Sequence, residues 1–211
     1  MKFGKIIILN GAPRSGKSSI VKAVQNTFDG IWLNIGVDVY VDNVTPPGLQ
    51  PGIGLRPGGE RPDLEPFVSD CYRALYESIA MHSKLGLNII ADVCHHDNYS
   101  KPLNILPHCA KILVEYPALF VGVRCPVDVI MKRRNAPDED PKRSYLKGTA
   151  DVPVPPQVLL WEQVHLPGIY DLEIDTSTSS PDTSAEIIRD RLLSETPARA
   201  FRKLALLLDA S

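Results

Sequence analysis

A chain of 211 residues, 44% hydrophobic and 23% charged, is long enough for one full core and too evenly composed for wholesale disorder. A formal net charge of −2 gives no reason to expect a nucleic acid or an anionic membrane as partner. No run comes near the roughly 18 apolar residues of a membrane span, and Ile6-Ile7-Ile8-Leu9, broken at Asn10-Gly11, is too short for a secretory signal, so a cytoplasmic protein is expected.

Short apolar, β-branched runs alternate with helical patterns, which predicts βαβ units around a parallel sheet. The first strand is expected at residues 5–10 and leads directly into Gly11-Ala12-Pro13-Arg14-Ser15-Gly16-Lys17-Ser18, a complete G-x-x-x-x-G-K-S. Each fixed position has a physical task. The glycines let consecutive N–H groups turn inward as an anion nest, and the helix that follows adds its positive end. Lys17 reaches the β- and γ-phosphates, and the Ser18 hydroxyl ligates magnesium. The expected site for ATP and Mg2+ is therefore Gly11, Ala12, Pro13, Arg14, Ser15, Gly16, Lys17, Ser18 and Ser19, with the Arg14 side chain read as a solvated loop residue rather than a catalytic one. A helix at 17–28, with Ile20, Val21 and Val24 on one face, supplies the context that the motif needs.

The second strand is expected at 32–38 and ends on Asp38; the third, at 87–92, ends on Asp92. Ligands of such sheets sit beyond the carboxyl ends of the strands. Asp92 therefore reads as the magnesium-side acid and Asp38 as the general base that takes the proton of an attacking hydroxyl. Either could instead cap a helix. Between these strands lies a stretch, 45–63, with five prolines and five glycines, which predicts a long loop. A helix follows at 64–83 with Phe67, Val68, Cys71, Tyr72, Leu75 and Ile79 at three- and four-residue spacing.

Cys94-His95-His96-Asp97 has no matching second cluster, so pocket lining or a solvated loop is favoured over a metal site. The four cysteines lack metal-like spacing and are expected as mostly buried thiols. A strand at 119–124 and a helix at 126–134 lead into Lys132-Arg133-Arg134, read either as a solvated helix end or as a phosphate clamp. Residues 135–155 are expected to form a lid. A helix at 156–165, a strand at 171–176, a helix at 184–193 and a further helix at about 196–209 complete the chain. In the last, Thr196 would be the N-cap and Pro197 would stand in the first turn, with Phe201, Leu204, Ala205 and Leu208 on one face, packed either on the domain or on a second subunit.

With these residues in hand, the chain resembles the chloramphenicol phosphotransferase family of P-loop small-molecule kinases. The likeness runs through Ile7-Ile8-Leu9-Asn10-Gly11, Gly16-Lys17-Ser18-Ser19-Ile20-Val21, Trp32 with Gly36-Val37-Asp38, and Ile89-Ile90-Ala91-Asp92-Val93. It continues in Val121-Gly122-Val123-Arg124-Cys125 and Tyr170-Asp171-Leu172-Glu173-Ile174-Asp175-Thr176. The resemblance implies a three-layer α/β nucleotide-kinase-like fold with a five-stranded parallel sheet, and ATP as donor. It also implies Asp38 as catalytic base toward a primary hydroxyl of chloramphenicol and Arg133 as a lid arginine closing over the transferring phosphate. Arg124 would face the nucleotide or form a structural ion pair. The chain departs from the family in the acceptor-covering stretch, about 39–66, and in the lid, where Ala136-Pro137-Asp138-Glu139-Asp140 precedes Lys142-Arg143. A single domain is expected, with a small-molecule hydroxyl acceptor as partner and possible self-association. A nucleotide kinase is the lesser alternative, since no basic set for a second phosphate is legible. A nucleotide-binding regulatory module without kinase activity is the other.

Overall fold

Strands form where apolar residues run unbroken: β1 Ile6–Asn10, β2 Trp32–Asn34, β3 Asn88–Val93, β4 Ala118–Arg124 and β5 Leu172–Asp175. In the computed structural model, which describes residues 2–50, 55–57, 61–137 and 145–209, they pair in parallel in the order β2-β3-β1-β4-β5. A sheet covered on both faces sends alternate residues of a strand into separate cores. Accordingly, Ile6 and Ile8 pack with α3 (Glu65–Lys84), α4 (Ile105–Leu113) and α8 (Ala200–Ala205), while Ile7 and Leu9 pack with α1 (Lys17–Thr27) and α7 (Pro181–Leu193). The result is the expected three-layer α/β fold. A third cluster joins Ala12 of the phosphate loop to Ile130 and Met131 of α5 (Val127–Asn135), Val158 of α6 (Pro156–Leu160) and Trp161.

The register fixes the site. Leu9 lies opposite Asp92, and Asn10 opposite both Val93 and Gly122, so the phosphate loop leaves the sheet between β3 and β4.

Four expectations need correction. The second strand stops at Asn34, and Asp38 lies in the first turn of α2 (Val37–Asn43), with Gly36 as the cap residue. Residues 105–113 are helical although no helix was expected there. Pro107 stands in its first turn, where a missing N–H costs nothing, and Asp97 Oδ1 accepts the N–H groups of Leu103 and Asn104 just before it. The span 156–165 is α6 followed by a 3₁₀ turn, Trp161–His165. The last helix starts at Ala200 rather than after Thr196, because Asp171 Oδ1 accepts from the N–H groups of Arg199 at 2.6 Å and Ala200 at 2.9 Å. Its Phe201, Leu204 and Ala205 are buried within this chain, Phe201 5.0 Å from the Phe120 ring.

The described part of 45–63 holds only 3₁₀ turns at Pro47–Leu49 and Pro62–Leu64. The lid residues Asp138, Glu139, Asp140, Lys142 and Arg143 lie outside the described residues. All four cysteines are free thiols. Among the described residues no helix is long and apolar enough to cross a membrane.

Candidate active site

The phosphate loop adopts the curled path that its glycines permit. Gly16 has φ 100°, a left-handed conformation that other residues rarely hold. A Cβ on Gly11 would lie 2.5 Å from the Val123 carbonyl oxygen, so no larger residue fits. Lys17 Nζ donates to Gly11 O at 2.7 Å and Ala12 O at 3.0 Å. The ammonium is thus held across the concave side of its own loop. Gly11, Ala12 and Ser15 are buried, and their contribution is backbone curvature rather than side-chain contact; Pro13 is half-buried in the same turn.

Ser18 Oγ donates to Asp92 Oδ2 at 2.8 Å. A hydroxyl beside a carboxylate is the oxygen pair that suits magnesium, which keeps its remaining positions for water and phosphate oxygens. Gly36 presses on the other side of the same carboxylate: a Cβ there would lie 2.0 Å from Asp92 Oδ1. Asp38 is exposed and faces the same cleft of about 760 Å³ as Lys17, Ser18, Ser19, Asp92 and Arg14. The structure therefore brings both strand-end aspartates to the phosphate loop, although Asp38 arrives on a helix. Cys94 Sγ donates to Gly11 O at 3.1 Å, with burial pushing the thiol above its usual range.

Arg133 lines the other wall of the cleft, but its terminal nitrogens are engaged. Nη2 donates to Thr176 O at 2.8 Å, and Nη1 to Arg14 O and Thr176 Oγ1, each at 3.2 Å. Thr176 Oγ1 in turn donates to Ser15 O at 2.5 Å. Arg133 thereby ties the phosphate loop to the turn after β5. Arg124 is held away from the cleft, in a surface pair with Glu173 at 3.2 Å and 5.8 Å from the Tyr170 ring centre.

The histidine segment is structural where it can be followed. Asp97 caps the approach to α4. His95 is buried, with Nε2 2.8 Å from the Tyr76 hydroxyl, and burial depresses its pKa to about 3. Its backbone N–H donates to Asn10 Oδ1 at 2.8 Å. Asn10 also donates through Nδ2 to Val164 O at 2.7 Å and to the Tyr170 hydroxyl at 3.0 Å, and that hydroxyl meets His165 Nδ1 at 3.0 Å. Burial lowers His165 to about 4 and raises Tyr170 to about 12. This fully buried asparagine locks the residue before the phosphate loop to β3 and to the approach to β5. It lies, with Gly36, Thr176 and Tyr170, in the segments that carry the resemblance, but the sequence alone assigns none of them a role. A polar residue ending an all-apolar strand was the available signal, since a buried amide must find partners.

The family described as chloramphenicol phosphotransferase-like protein matches residues 4–193. Two proteins of Mycobacterium tuberculosis, from strains CDC 1551 / Oshkosh and ATCC 25618 / H37Rv and provisionally named O-phosphotransferases, are 29% identical over 106 residues, which is 44% of this chain and 47% of each relative. The aligned part thus spans about half the length of the curated relatives. Among solved structures, the APS kinase CysC of Mycobacterium tuberculosis in complex with AMPPNP and APS is similar with a TM-score of 0.57 and 16% identity, over 92% of this chain and 100% of that one. Shikimate kinase from Acinetobacter baumannii in complex with shikimate gives 0.59 and 12%, over 92% and 96%. At these identities the likeness is one of fold.

Proposed function

This chain belongs to the chloramphenicol phosphotransferase-like family, and from that premise we propose that it transfers the γ-phosphate of ATP to a hydroxyl of a small molecule. The observation that carries the reading is the convergence of Lys17, the Ser18–Asp92 pair and Asp38 on one cleft. Lys17 and the N–H groups of residues 16–18, at the start of α1, meet the phosphates. Ser18 and Asp92 would hold magnesium, which supplies charge neutralisation on the phosphate oxygens. Asp38 accepts the acceptor's hydroxyl proton as the new O–P bond forms and the bond from the γ-phosphorus to the bridging oxygen breaks, releasing ADP. Asn10 and Arg133 keep the loop in register with the strands on either side.

The test is ADP release from ATP with magnesium across a panel of alcohols, sugars, nucleosides and hydroxy acids, chloramphenicol included. Acceptor-dependent release that is lost in Lys17→Ala, in a variant that still unfolds cooperatively, is the expected result. ATP binding without release for any acceptor would favour the regulatory module instead.

A further inference from the structure

Arg14, expected as a solvated loop side chain, is half-buried and lines the cleft together with Lys17, Ser18, Asp38 and Asp92. It stands in a tight turn that Ser15 N–H closes by donating to Ala12 O at 3.1 Å. Pro13 takes the second place of that turn and Arg14 the third, with φ 69°, where a positive φ calls for glycine or asparagine. Among the described residues the other non-glycine with a positive φ is Asn104, whose short amide tolerates it. Glycine would make the turn at position 14 without strain, so the arginine is kept against a local cost. A residue held in this way points to a task for its side chain. Arg133 helps to hold it, with Nη1 donating to the Arg14 carbonyl at 3.2 Å.

The side chain is oriented as well. Its guanidinium carbon lies 4.2 Å from the centre of the Tyr145 ring, and Tyr145, from the lid segment, lines the same cleft. A stacked guanidinium is held by its face, while its N–H donors lie in its plane. The ring therefore sets the plane in which Arg14 donates, and a phosphate oxygen in that plane can join the contacts it already makes. Arg14 precedes Lys17 by three residues, and Lys17 Nζ spans Gly11 O and Ala12 O, so both cations rise from one curl of chain around one anion. Arg133, which the family resemblance puts over the transferring phosphate, is bonded instead to Thr176 and to Arg14 O.

We propose that Arg14 is the catalytic arginine that clamps the transferring phosphoryl group, with Arg133 fixing its peptide and Tyr145 its plane. This rests on the phosphotransferase reading. The acceptor oxygen bonds to the γ-phosphorus and gives its proton to Asp38, while the bond to the bridging oxygen breaks and its electron pair leaves with ADP. Arg14 donates hydrogen bonds to the equatorial oxygens throughout and transfers no proton. Charge on those oxygens and on the leaving oxygen is what such a group stabilises in the transition state, so its contribution belongs in kcat rather than in ATP binding.

The test compares wild type with Arg14→Gly, Arg14→Lys and Tyr145→Leu, each checked for cooperative urea unfolding. Arg14→Gly removes the guanidinium and the left-handed strain together, and should stay folded. Calorimetry with magnesium measures binding of a non-hydrolysable ATP analogue, and of ADP with and without aluminium fluoride, a mimic of the phosphoryl group in flight. Turnover is ADP release with an alcohol that the wild type accepts. Arg14→Gly should bind the ATP analogue within about threefold of wild type, yet lose about 10²–10³-fold in kcat and most of the tightening of ADP by aluminium fluoride. Arg14→Lys, which keeps the charge without the planar fork, should fall between. Tyr145→Leu, which keeps the guanidinium, should lower kcat much less than Arg14→Gly. The proposal is overturned if Arg14→Gly weakens the ATP analogue as much as the fluoride complex, which would make the arginine a ground-state contact. Unchanged kcat in Arg14→Gly also overturns it, as does an equal loss in Tyr145→Leu, which would make the pair a lid latch. Wild-type protein that shows neither fluoride tightening nor ADP release with any alcohol would sink the phosphotransferase reading and the proposal with it. Wild-type release matched by Arg14→Gly sinks the role of the arginine alone.

Discussion

Replacing Gly36 by alanine isolates the placement of the Asp92 carboxylate from its chemistry. Gly36 has φ −91° and ψ 174°, open to any residue, so the substitution carries no backbone penalty. It carries a steric one: the new Cβ would lie 2.0 Å from Asp92 Oδ1 and 3.0 Å from the Asp92 carbonyl oxygen. Reaching ordinary contact requires a relative movement of about 1.4 Å or more. Asp92 has little room to give, since its strand is bonded on both sides to β1 and β2 and its other oxygen is bonded to Ser18. The strain should cost about 1–3 kcal/mol of stability, as overpacking does.

A misplacement of about 1 Å in a reacting constellation can cost about 10²-fold in rate. Gly36→Ala should therefore lower kcat by about that factor and raise the magnesium concentration needed for half-maximal rate, while magnesium-free nucleotide binding changes little. The assay is ADP release against a magnesium titration, with urea unfolding in parallel. A double-mutant cycle gives the sharper check: in an Asp92→Ala background the 2.0 Å clash with the carboxylate is gone and only the 3.0 Å approach to the backbone carbonyl oxygen remains, so Gly36→Ala should cost less stability there. Equal costs in both backgrounds, or a single variant within about threefold of wild-type turnover, would refute the argument that this glycine exists to seat Asp92.

Asp38→Asn retains shape but cannot take a proton at neutral pH, so acceptor-dependent turnover should fall about 10²–10⁴-fold with ATP binding intact; near-normal turnover would remove Asp38 from the role of base. Arg133→Ala should raise KM for ATP as well as lower kcat, because its bonds to Arg14 O and Thr176 hold the phosphate loop itself. A fall in kcat alone would return this arginine to the transferring phosphate. His95, with a folded pKa near 3 against about 6.5 unfolded, stays neutral in the native state while the unfolded chain takes up a proton. Its contribution is nil above the unfolded value and turns destabilising as pH falls below it, reaching about 2 kcal/mol at pH 5. Urea midpoints at pH 7 and 5 should show that loss, and His95→Gln should reduce it; identical pH dependence in the two proteins would contradict a buried neutral histidine.

Local chemistry was legible in the sequence and long-range chemistry was not, and the division follows how each feature is encoded. The phosphate loop is written in consecutive residues, because nest, lysine and hydroxyl all act within one turn of chain. Its strand and helix could be read from apolar periodicity on either side. Asp38 was found as an acid at the right end of the sheet, yet assigned to a strand: Ile35-Gly36-Val37 is apolar enough to continue one, and only the contact of Gly36 with Asp92 shows why the chain turns there. Proline at 107 concealed α4 because the same residue that breaks a helix interior is neutral in a first turn. The last helix was misplaced because its capping carboxylate, Asp171, lies 28 residues earlier than Arg199. Arg134 is a further case: read at a helix end or in a phosphate clamp, it is buried in the fold, where its Nη1 donates to the Leu146 carbonyl, a property of packing that no pattern in the chain announces. A family resemblance transmits the parts that act on ATP because they are contiguous and constrained by one ligand. The chain departs from the family in the stretch at about 39–66 and in the lid, so the acceptor has to be argued from the folded chain.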